Sequence, residues 1–434
     1  MNRMNLFLLA IICGLPTIQS EAVEAWRDVE KLPALDARNT RYLTAYTIPS
    51  EGSQRREART VSAGWVNSLS MRRRMARPKD IAGSVMRVDL RDYGWSADAW
   101  EKLVAQDRYV NEYSVDADAL NALRYYTGSN TPLVRLDWFL TKTCLEPDYS
   151  RFLGLPGTLK ELQTFLGVQE GDVKKLSLNV GGARLESIVA PHNRQLERYP
   201  TITGYFWLTR DTKTNIGKQA VLDNLFGVQS DAGEFLFSLP NGLQGGYLAD
   251  GQGKQQAVAP PDIAIDTQTS FHDKQVFNYR SCIGCHEQGI REFEDVVSSL
   301  VKGRKLAIDT YSKEKQIALE EFYLSPLGQQ ITADQVKFTL ALNQACGLTP
   351  QEFSRGFLKL VYDYQERKVD DVRAARDLGI QVSELPAVLN QAAKAYPEQS
   401  LSLLSIPAGH PIAVDQWEQL FGFASAAVRQ KGAK

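Results

Sequence analysis

The sequence predicts an α+β fold, in which a mixed N-terminal region is followed by a mainly α-helical C-terminal region. Alternation of apolar and polar residues occurs before about residue 270, and helix-start signals occur after about residue 287. The chain of 434 residues is 43% hydrophobic and 23% charged, which is typical of a soluble globular protein of two or three domains. Its formal net charge of −1 gives no indication of a nucleic-acid partner.

The first 22 residues have the layout of a secretory signal peptide. Met1–Met4 is positively charged, Leu6–Leu15 is apolar, and small residues occur at Ser20 and Ala22. The apolar run is shorter than the roughly 20 residues that span a bilayer. We therefore expect cleavage after Ala22, with cleavage after Ser20 or Ala25 as alternatives, and export to the periplasm without a transmembrane segment in the mature chain.

Residues 23–270 form the predicted α+β region, whose role the sequence does not indicate. Period-two alternation predicts strands, while capping residues and a 3.6-residue period predict helices. The predicted elements are a strand at 86–93, a helix at 96–103 with Ser96 as its N-cap, a helix at 159–166, and a β-hairpin of 234–239 and 243–249 around Pro240-Asn-Gly242.

Residues 271–434 form the predicted helical region. Thr332 and Thr349 each begin a capping box, and the second is followed by proline at the first helical position. We expect the helix after Thr349 to run as far as Gly379, and a terminal helix to cover 415–430.

The chain has five Cys and four His residues, and three of these nine lie in one compact motif, Ser-Cys-Ile-Gly-Cys-His at 281–286. Cys-x-x-Cys-His is the signature of covalent haem attachment. On a helical turn, positions i, i+3 and i+4 share one face. Both thiols can therefore form thioethers with the haem vinyl groups while the imidazole binds iron. The motif predicts one haem c per chain, held by Cys282 and Cys285, with His286 as the proximal iron ligand, in a cytochrome c-like haem-binding region.

Two other interpretations of the motif have less support. A zinc site needs two further ligands, and the remaining candidates are scattered singly along the chain. A dithiol redox pair needs a preceding strand and a helix start that lowers a thiol pKa, and Tyr279-Arg-Ser is a poor strand. The scattered candidates are Cys144, Cys346, His192, His272 and His410.

Beyond the motif, the chain resembles an uncharacterised family of bacterial proteins with a c-type cytochrome domain. The resemblance implies haem binding at the three motif residues and implies that the α+β region and the haem segment occur together. It implies no substrate. The stretches that resemble the family are "VNSLS" at 66, "MRVDLRDYGW" at 86, "RLDWFL" at 135, "FLGLP" at 152, "EFLFSLPNGLQGGYLADGQG" at 234 and "SCIGCHEQGI" at 281.

The sixth iron ligand is not determined by the sequence. All five methionines precede the motif, so the usual downstream Met ligand is absent. His410 is the only downstream His and is therefore the named candidate for a distal ligand. The alternatives are His192, His272, an upstream Met, a Lys or Tyr, or an open site. An open site would bind peroxide or a diatomic gas, but no distal acid–base residue is identified, since Arg280 and Arg291 flank the motif on the proximal side.

The predicted function is that of an exported mono-haem c-type cytochrome that transfers single electrons to a redox partner of unknown identity. One alternative is a peroxidase-like haem enzyme or a gas or redox sensor with an open iron site. Another is a haem-bearing module in which the α+β region binds a ligand or protein. Cys144 and Cys346 either form a disulfide between the two regions or stay as buried free thiols.

Overall fold

The computed structural model of this chain has a mixed α+β fold with two small β-sheets, which confirms the predicted class at that level. Within the described residues, every strand ends by Asp250 and helices follow. The structure describes residues 18–49, 53–109, 117–168, 179–183, 192–217, 226–293, 312–323 and 327–432, with a few isolated positions between them.

Nine helices precede the motif among the described residues, and α1, α4 and α7 of these contact strands of the first sheet. The second group begins with α10, in the motif itself, and forms the C-terminal part of the fold. The first group is α1 (Ile18–Val29), α2 (Ala34–Asn39), α3 (Gln54–Ser68), α4 (Leu90–Tyr93), α5 (Ala97–Val104), α6 (Ala117–Thr127), α7 (Leu136–Thr143), α8 (Asp148–Leu153) and α9 (Leu159–Phe165). The second is α10 (Arg280–Cys285), α11 (Lys313–Phe322), α12 (Gly328–Cys346), α13 (Pro350–Gln365), α14 (Asp371–Leu378), α15 (Leu385–Ala395), α16 (Pro397–Ser400) and α17 (Val414–Gly432).

The first sheet consists of β1 (Thr40–Thr44), β2 (Lys79–Ala82), β3 (Val85–Asp89) and β4 (Leu133–Arg135), in the spatial order β2-β3-β1-β4. Strand β1 pairs antiparallel with β3 and parallel with β4. The parallel pair is possible because residues 45–132, which include several helices as well as β2 and β3, separate the two strands in sequence.

The strand predicted at 86–93 is confirmed as far as Asp89 and is wrong beyond it. The Asp89 side chain accepts a hydrogen bond from the Arg91 backbone N–H at 2.9 Å and so begins α4, which ends at Gly94 with φ of 74°. The helix predicted from Ser96 is confirmed as α5, where the Ser96 hydroxyl accepts from the Ala99 N–H at 3.0 Å. The helix predicted at 159–166 is confirmed as α9.

The second sheet consists of β5 (Asn179–Ala183), β6 (Arg194–Thr201), β7 (Gly204–Arg210), β8 (Ala232–Ser238) and β9 (Gln244–Asp250), antiparallel throughout and in sequence order. The predicted hairpin is confirmed as β8 and β9, with Ser238 opposite Gln244. The turn between them uses Gly242 at φ of 86°, a conformation that glycine adopts without strain.

The predicted capping box at Thr349 is confirmed, since its hydroxyl accepts from the Glu352 N–H and the Glu352 carboxylate accepts from the Thr349 N–H. The helix that it begins does not reach Gly379. It ends at Gln365, and Asp370 caps a separate helix, α14, by accepting from the Arg373 N–H at 2.8 Å.

The capping box predicted at Thr332 is wrong. Helix α12 begins four residues earlier, at Gly328, and the Thr332 hydroxyl donates to the Gly328 carbonyl at 3.0 Å inside the helix. The predicted terminal helix is confirmed as α17.

The helices after the motif pack directly on the region before it. Helix α3 contacts both α12 and α13, and a Cβ on Gly64 of α3 would lie 2.7 Å from the Phe353 ring and 3.1 Å from Cys346 Sγ. Buried apolar side chains on both sides of residue 270 belong to one hydrophobic core. The domain boundary near residue 270 stays a prediction.

Helix α1 passes through the predicted cleavage position after Ala22. The Glu21 carboxylate in this helix is buried and accepts from Ser84 Oγ at 2.7 Å and Thr44 Oγ1 at 3.1 Å. The predicted signal segment before residue 18 lies outside the described residues. No described helix is both long enough and apolar enough to cross a membrane.

Candidate haem site

The motif forms the short helix α10, as predicted. Cys282 is buried and Cys285 is partly exposed, while His286 follows the helix, and its backbone N–H donates to the Cys282 carbonyl at 2.7 Å. The three side chains therefore lie on one turn, in the i, i+3, i+4 arrangement.

Contacts from three other elements hold this short helix in place. A helix of six residues is too short to be stable by itself. The Ser354 hydroxyl of α13 donates to the Ile283 carbonyl at 2.9 Å. Tyr279 stacks on Tyr149 of α8 with ring centroids 4.4 Å apart, and its hydroxyl donates to the Gln244 carbonyl of β9.

The motif faces one side of the second sheet across a small pocket with an enclosed volume of about 80 Å³. This volume is below the roughly 300–1,000 Å³ typical of cofactor and small-molecule sites, so a haem would fit only if the pocket walls moved apart. Opposed residues of neighbouring strands share a face of a sheet, and two such pairs are Leu196 with Thr209 and Trp207 with Leu236. The apolar wall of the pocket is formed by Leu196, Trp207, Leu236, Val276, Ile290 and Phe293.

The imidazole of His286 is oriented for binding a metal through Nε2. Its Nδ1 lies 3.2 Å from the Gly289 carbonyl oxygen. Because a carbonyl oxygen only accepts, Nδ1 carries the proton of this hydrogen bond, which is the usual outer contact of a metal-binding His. Nε2 is thereby directed into the pocket, where the His286 side chain is 14% exposed.

The group that Nε2 meets is the Glu234 carboxylate, which the sequence analysis did not identify. Glu234 Oε1 lies 3.4 Å from His286 Nε2 and accepts a hydrogen bond from the Cys282 thiol at 3.4 Å. Arg194 Nη2 lies 3.8 Å from Glu234 Oε2. Burial alone raises the pKa of Glu234, but His286 and Arg194 outweigh it and lower that pKa to about 2.

Arg194 is itself fixed by a bidentate pair. Its Nε and Nη2 donate to the two Asp211 carboxylate oxygens at 2.7 and 2.9 Å. Arg194 and Glu234 are therefore a cation and an anion that line the pocket opposite the motif, whereas the sequence analysis named only the proximal Arg280 and Arg291.

The residue types on the pocket walls match those of a covalent haem site, but the enclosed space of about 80 Å³ is smaller than a haem needs. Two thiols and an imidazole lie on one wall, the other wall is largely apolar, and the haem itself supplies the equatorial nitrogens, so a single protein imidazole suffices to begin iron binding. Among the described residues, no three His, Cys, Asp or Glu side chains are grouped so that they would hold a bare metal ion. The zinc interpretation therefore has no ligand set in that part of the chain.

The thiols do not have the character of a dithiol redox pair. Burial raises the pKa of the Cys285 thiol to about 12, and the nearby carboxylates of Glu234 and Asp266 add to the effect. Burial and the Glu234 carboxylate likewise raise the pKa of Cys282 well above its ordinary value. Dithiol exchange needs a thiolate, and these surroundings favour the protonated thiol.

The histidines considered as distal ligands lie elsewhere. His410 is exposed, in a loop next to Ile412, which pairs with Val369. His272 is 82% exposed and pairs with Glu366. Neither they nor His192 line the pocket in the part of the chain that the structure describes. The His410 prediction therefore gains no support from the geometry.

The upstream methionines that the structure describes, Met71, Met75 and Met86, also lie outside the pocket lining. Met86 is buried in β3, where its sulfur accepts from Ser62 Oγ at 3.7 Å. Met71 and Met75 are partly buried and pack on the hydrophobic core. These contacts occupy all three side chains in core packing.

The other two cysteines and Asp137 are bonded to neighbouring groups of the fold. Cys144 and Cys346 are both free and buried, and their thiols donate to the Thr141 and Leu342 carbonyls at 3.3 Å each. Asp137 forms a bidentate pair with Arg135 at 3.1 and 2.8 Å.

Sequence reasoning missed Glu234 and Arg194 because their role depends on strand pairing. Alternation along β8 places Glu234 on the same face as Leu236, and this is the one local signal that a charge faces a buried surface. Nothing local to the sequence shows that this face lies opposite the Cys282–His286 motif.

Comparisons with models of known protein families, with curated proteins and with solved structures gave no match to this chain.

Proposed function

We propose that this protein is an exported mono-haem c-type cytochrome that binds haem covalently through Cys282 and Cys285, with His286 as the proximal iron ligand. The observation that supports this most directly is that all three side chains lie on one helical turn and line the same pocket, with Nδ1 of His286 bonded to the Gly289 carbonyl. A bound haem supplies single-electron exchange. The proposed role is therefore electron transfer with a redox partner protein.

The chain's own residues have defined tasks in this proposal. On haem attachment, the S–H bond of each thiol would add across one vinyl C=C bond, so that one C–S bond and one C–H bond form without net oxidation or reduction. The Gly289 carbonyl keeps the His286 Nδ1 proton in place and would leave Nε2 for iron. Leu196, Trp207 and Leu236 would provide apolar neighbours for a bound haem.

Export is part of the proposal because haem c is attached after the chain has left the cytoplasm. The charged start, the apolar run and the small residues near Ala22 support this location.

The proposal is tested by haem retention after acid-acetone extraction, which removes haem that is held only by axial ligation. The wild-type chain should keep its haem, and the Cys282→Ala/Cys285→Ala variant should lose it. Cys144→Ala is the matched control, because this buried thiol lies outside the motif and its removal should leave haem attached. Attached haem in the double variant would rule out the assignment.

A further inference from the structure

A second pocket is lined by residues of α3, α13 and α14, and we refer to it as the α14 pocket. Its enclosed volume is about 300 Å³, at the lower end of the range typical of small-molecule sites. The Cys282–His286 motif does not line it. Part of its wall is apolar and is formed by Ile48, Leu360 and Val372. The α14 pocket is therefore a separate site with room for a small ligand.

The cations that line the α14 pocket are Arg135, Lys359, Arg367, Arg373 and Arg376. Two of them have carboxylate partners. Arg135 forms its bidentate pair with Asp137, and Lys359 Nζ lies 2.5 Å from Asp363 Oδ2. Arg367 is exposed. The buried Arg373 and the half-buried Arg376 remain, both on α14.

Arg376 has no partner for its charge among the described residues. Its guanidinium makes no hydrogen bond and no ion pair with them, and its Nε atom is buried. Burial lowers the pKa of Arg376, and so do the neighbouring Arg135 and Arg373. The carboxylates of Asp377 and Asp137 act in the opposite direction but do not outweigh this effect. A bound anion would offset the free energy that this unpaired, half-buried cation costs.

Arg373 adds a second charge on the same face of α14, because positions i and i+3 of a helix are neighbours. Its guanidinium donates to three backbone carbonyls at the end of α13 and just after it, at 2.6, 3.0 and 3.3 Å. Asp377 Oδ2 lies 4.0 Å from its Nε and is shared with Arg135. The neutral carbonyls thus hold the guanidinium in place without cancelling its charge.

The other lining carboxylates do not satisfy Arg376. Asp370 is the N-cap of α14 and accepts from the Arg373 backbone N–H at 2.8 Å. Glu57, on α3, is exposed. Since neither carboxylate is bonded to Arg376, its N–H donors stay available to a molecule in the α14 pocket.

We propose that the α14 pocket binds a small organic oxyanion, with Arg376 as its hydrogen-bond donor and Arg373 as a supporting charge. The oxyanion is a carboxylate or a phosphate group, since a guanidinium binds either through two parallel N–H···O bonds. The rest of the molecule is apolar and contacts Ile48, Leu360 and Val372. This site does not depend on the haem binding proposed above.

The test measures the melting temperature of the exported full chain with sodium benzoate, sodium phenyl phosphate or sodium chloride at equal ionic strength. A molecule that binds only the folded chain raises the melting temperature by mass action. We expect benzoate or phenyl phosphate to give a saturable rise at millimolar concentrations, and chloride to give none. Which of the two acts at lower concentration distinguishes a carboxylate site from a phosphate site.

Arg376→Gln should weaken binding of the effective compound by about tenfold or more, because a charged hydrogen-bond donor is lost. Two variants serve as controls. Arg56→Gln removes an exposed cation of α3 that does not line the α14 pocket, and should bind as wild type does. Glu57→Gln removes a lining carboxylate and should bind at least as tightly as wild type.

If Arg376→Gln does not fold, Val372→Glu decides. Val372 lines the α14 pocket and is 53% exposed, so a carboxylate can be added there without entering the core. This carboxylate should compete with the ligand for Arg376 and weaken binding. The inference is overturned if neither compound stabilises the wild type more than chloride does. Unchanged binding in the variant that decides, or an equal loss in Arg56→Gln, also overturns it.

Discussion

Two buried carboxylates, Glu234 and Asp137, are both paired with cations, but their partners differ in kind. Asp137 is bound by the Arg135 guanidinium, which always carries its charge and makes a bidentate pair. Glu234 faces an imidazole nitrogen at which a metal can replace a proton. The first pair is therefore structural, and the second is suited to a cofactor.

The Asp137–Arg135 pair should make stability depend on pH. Burial raises the Asp137 pKa, but the charge of Arg135 outweighs burial, so the pKa lies below its ordinary value. The pair thus stabilises the fold above the unfolded-state pKa of about 3.9 and loses this effect as pH falls through the lower folded-state pKa. Arg135 keeps a second carboxylate partner, Asp377, at 3.2 Å. Asp137→Asn should therefore cost about 1.5–3 kcal/mol at neutral pH, the range for hydrogen bonds to charged groups, and the difference from wild type should shrink in acid. Urea denaturation of both proteins at a series of pH values measures this difference in the free energy of unfolding.

The matched control for this prediction is Asp98→Asn. Asp98 pairs with Lys102 at 2.8 Å, but its side chain is 68% exposed. An exposed pair of this kind contributes about 0–1 kcal/mol, so its loss should have a small effect at every pH. A constant difference between Asp137→Asn and wild type over the whole pH range would contradict the role given to Arg135.

At the scale of elements, the position of the motif helix depends on the packing of α3 against α13. Gly64 of α3 permits the close approach of Phe353, which lies on the same helix as Ser354, the residue that binds the Ile283 carbonyl. We therefore expect a change at this contact to reach the Cys282–His286 motif through α13.

Gly64→Ala tests this packing. Alanine gains about 1 kcal/mol of helix propensity, but its Cβ would lie 2.7 Å from the buried Phe353 ring, and overpacking costs about 1–3 kcal/mol. We expect the free energy of unfolding to fall by about 1 kcal/mol, as measured by urea denaturation. Gly328→Ala in α12 is the control, because an added Cβ there has no heavy atom within 4 Å and should be neutral or stabilising. A stabilised Gly64→Ala protein would contradict the packing described here.

The elements predicted from the sequence are those whose signals are local. The β8–β9 hairpin follows from the Pro240-Asn-Gly242 turn, and the start of α13 follows from the side chain of Thr349. The break between α13 and α14 was missed because Val369 pairs with Ile412, which is distant in sequence. The Cys282–His286 motif could likewise be identified from adjacent residues alone. Glu234 could not, because only strand pairing places it opposite the motif.

At the scale of the whole molecule, the contacts of α1 indicate at which residue an exported chain would begin. Cleavage after Ala22 would remove Glu21, so the hydroxyls of Ser84 and Thr44 would lose their buried hydrogen-bond acceptor. Each buried group left unsatisfied lowers the free energy of unfolding by about 1–3 kcal/mol. Cleavage after Ser20, the alternative given by the sequence, keeps this contact.

We therefore expect the exported protein to begin at Glu21. Intact mass measurement of protein purified from the periplasm distinguishes the three cleavage positions, after Ser20, Ala22 and Ala25. Expression from Glu21 without the preceding residues should give cytoplasmic protein that lacks covalent haem. Normal haem-loaded protein in the cytoplasm would overturn the export proposal.

The most direct test of covalent haem binding is the mass of the peptide that contains the motif. Trypsin cleaves after Arg280 and Arg291 and releases residues 281–291, which contain Cys282, Cys285 and His286. In wild-type protein recovered after export, this peptide should carry the additional mass of one haem, with no free thiol. The same peptide at its unmodified mass, with both thiols free to react with an alkylating reagent, would contradict the proposal that this protein is a c-type cytochrome.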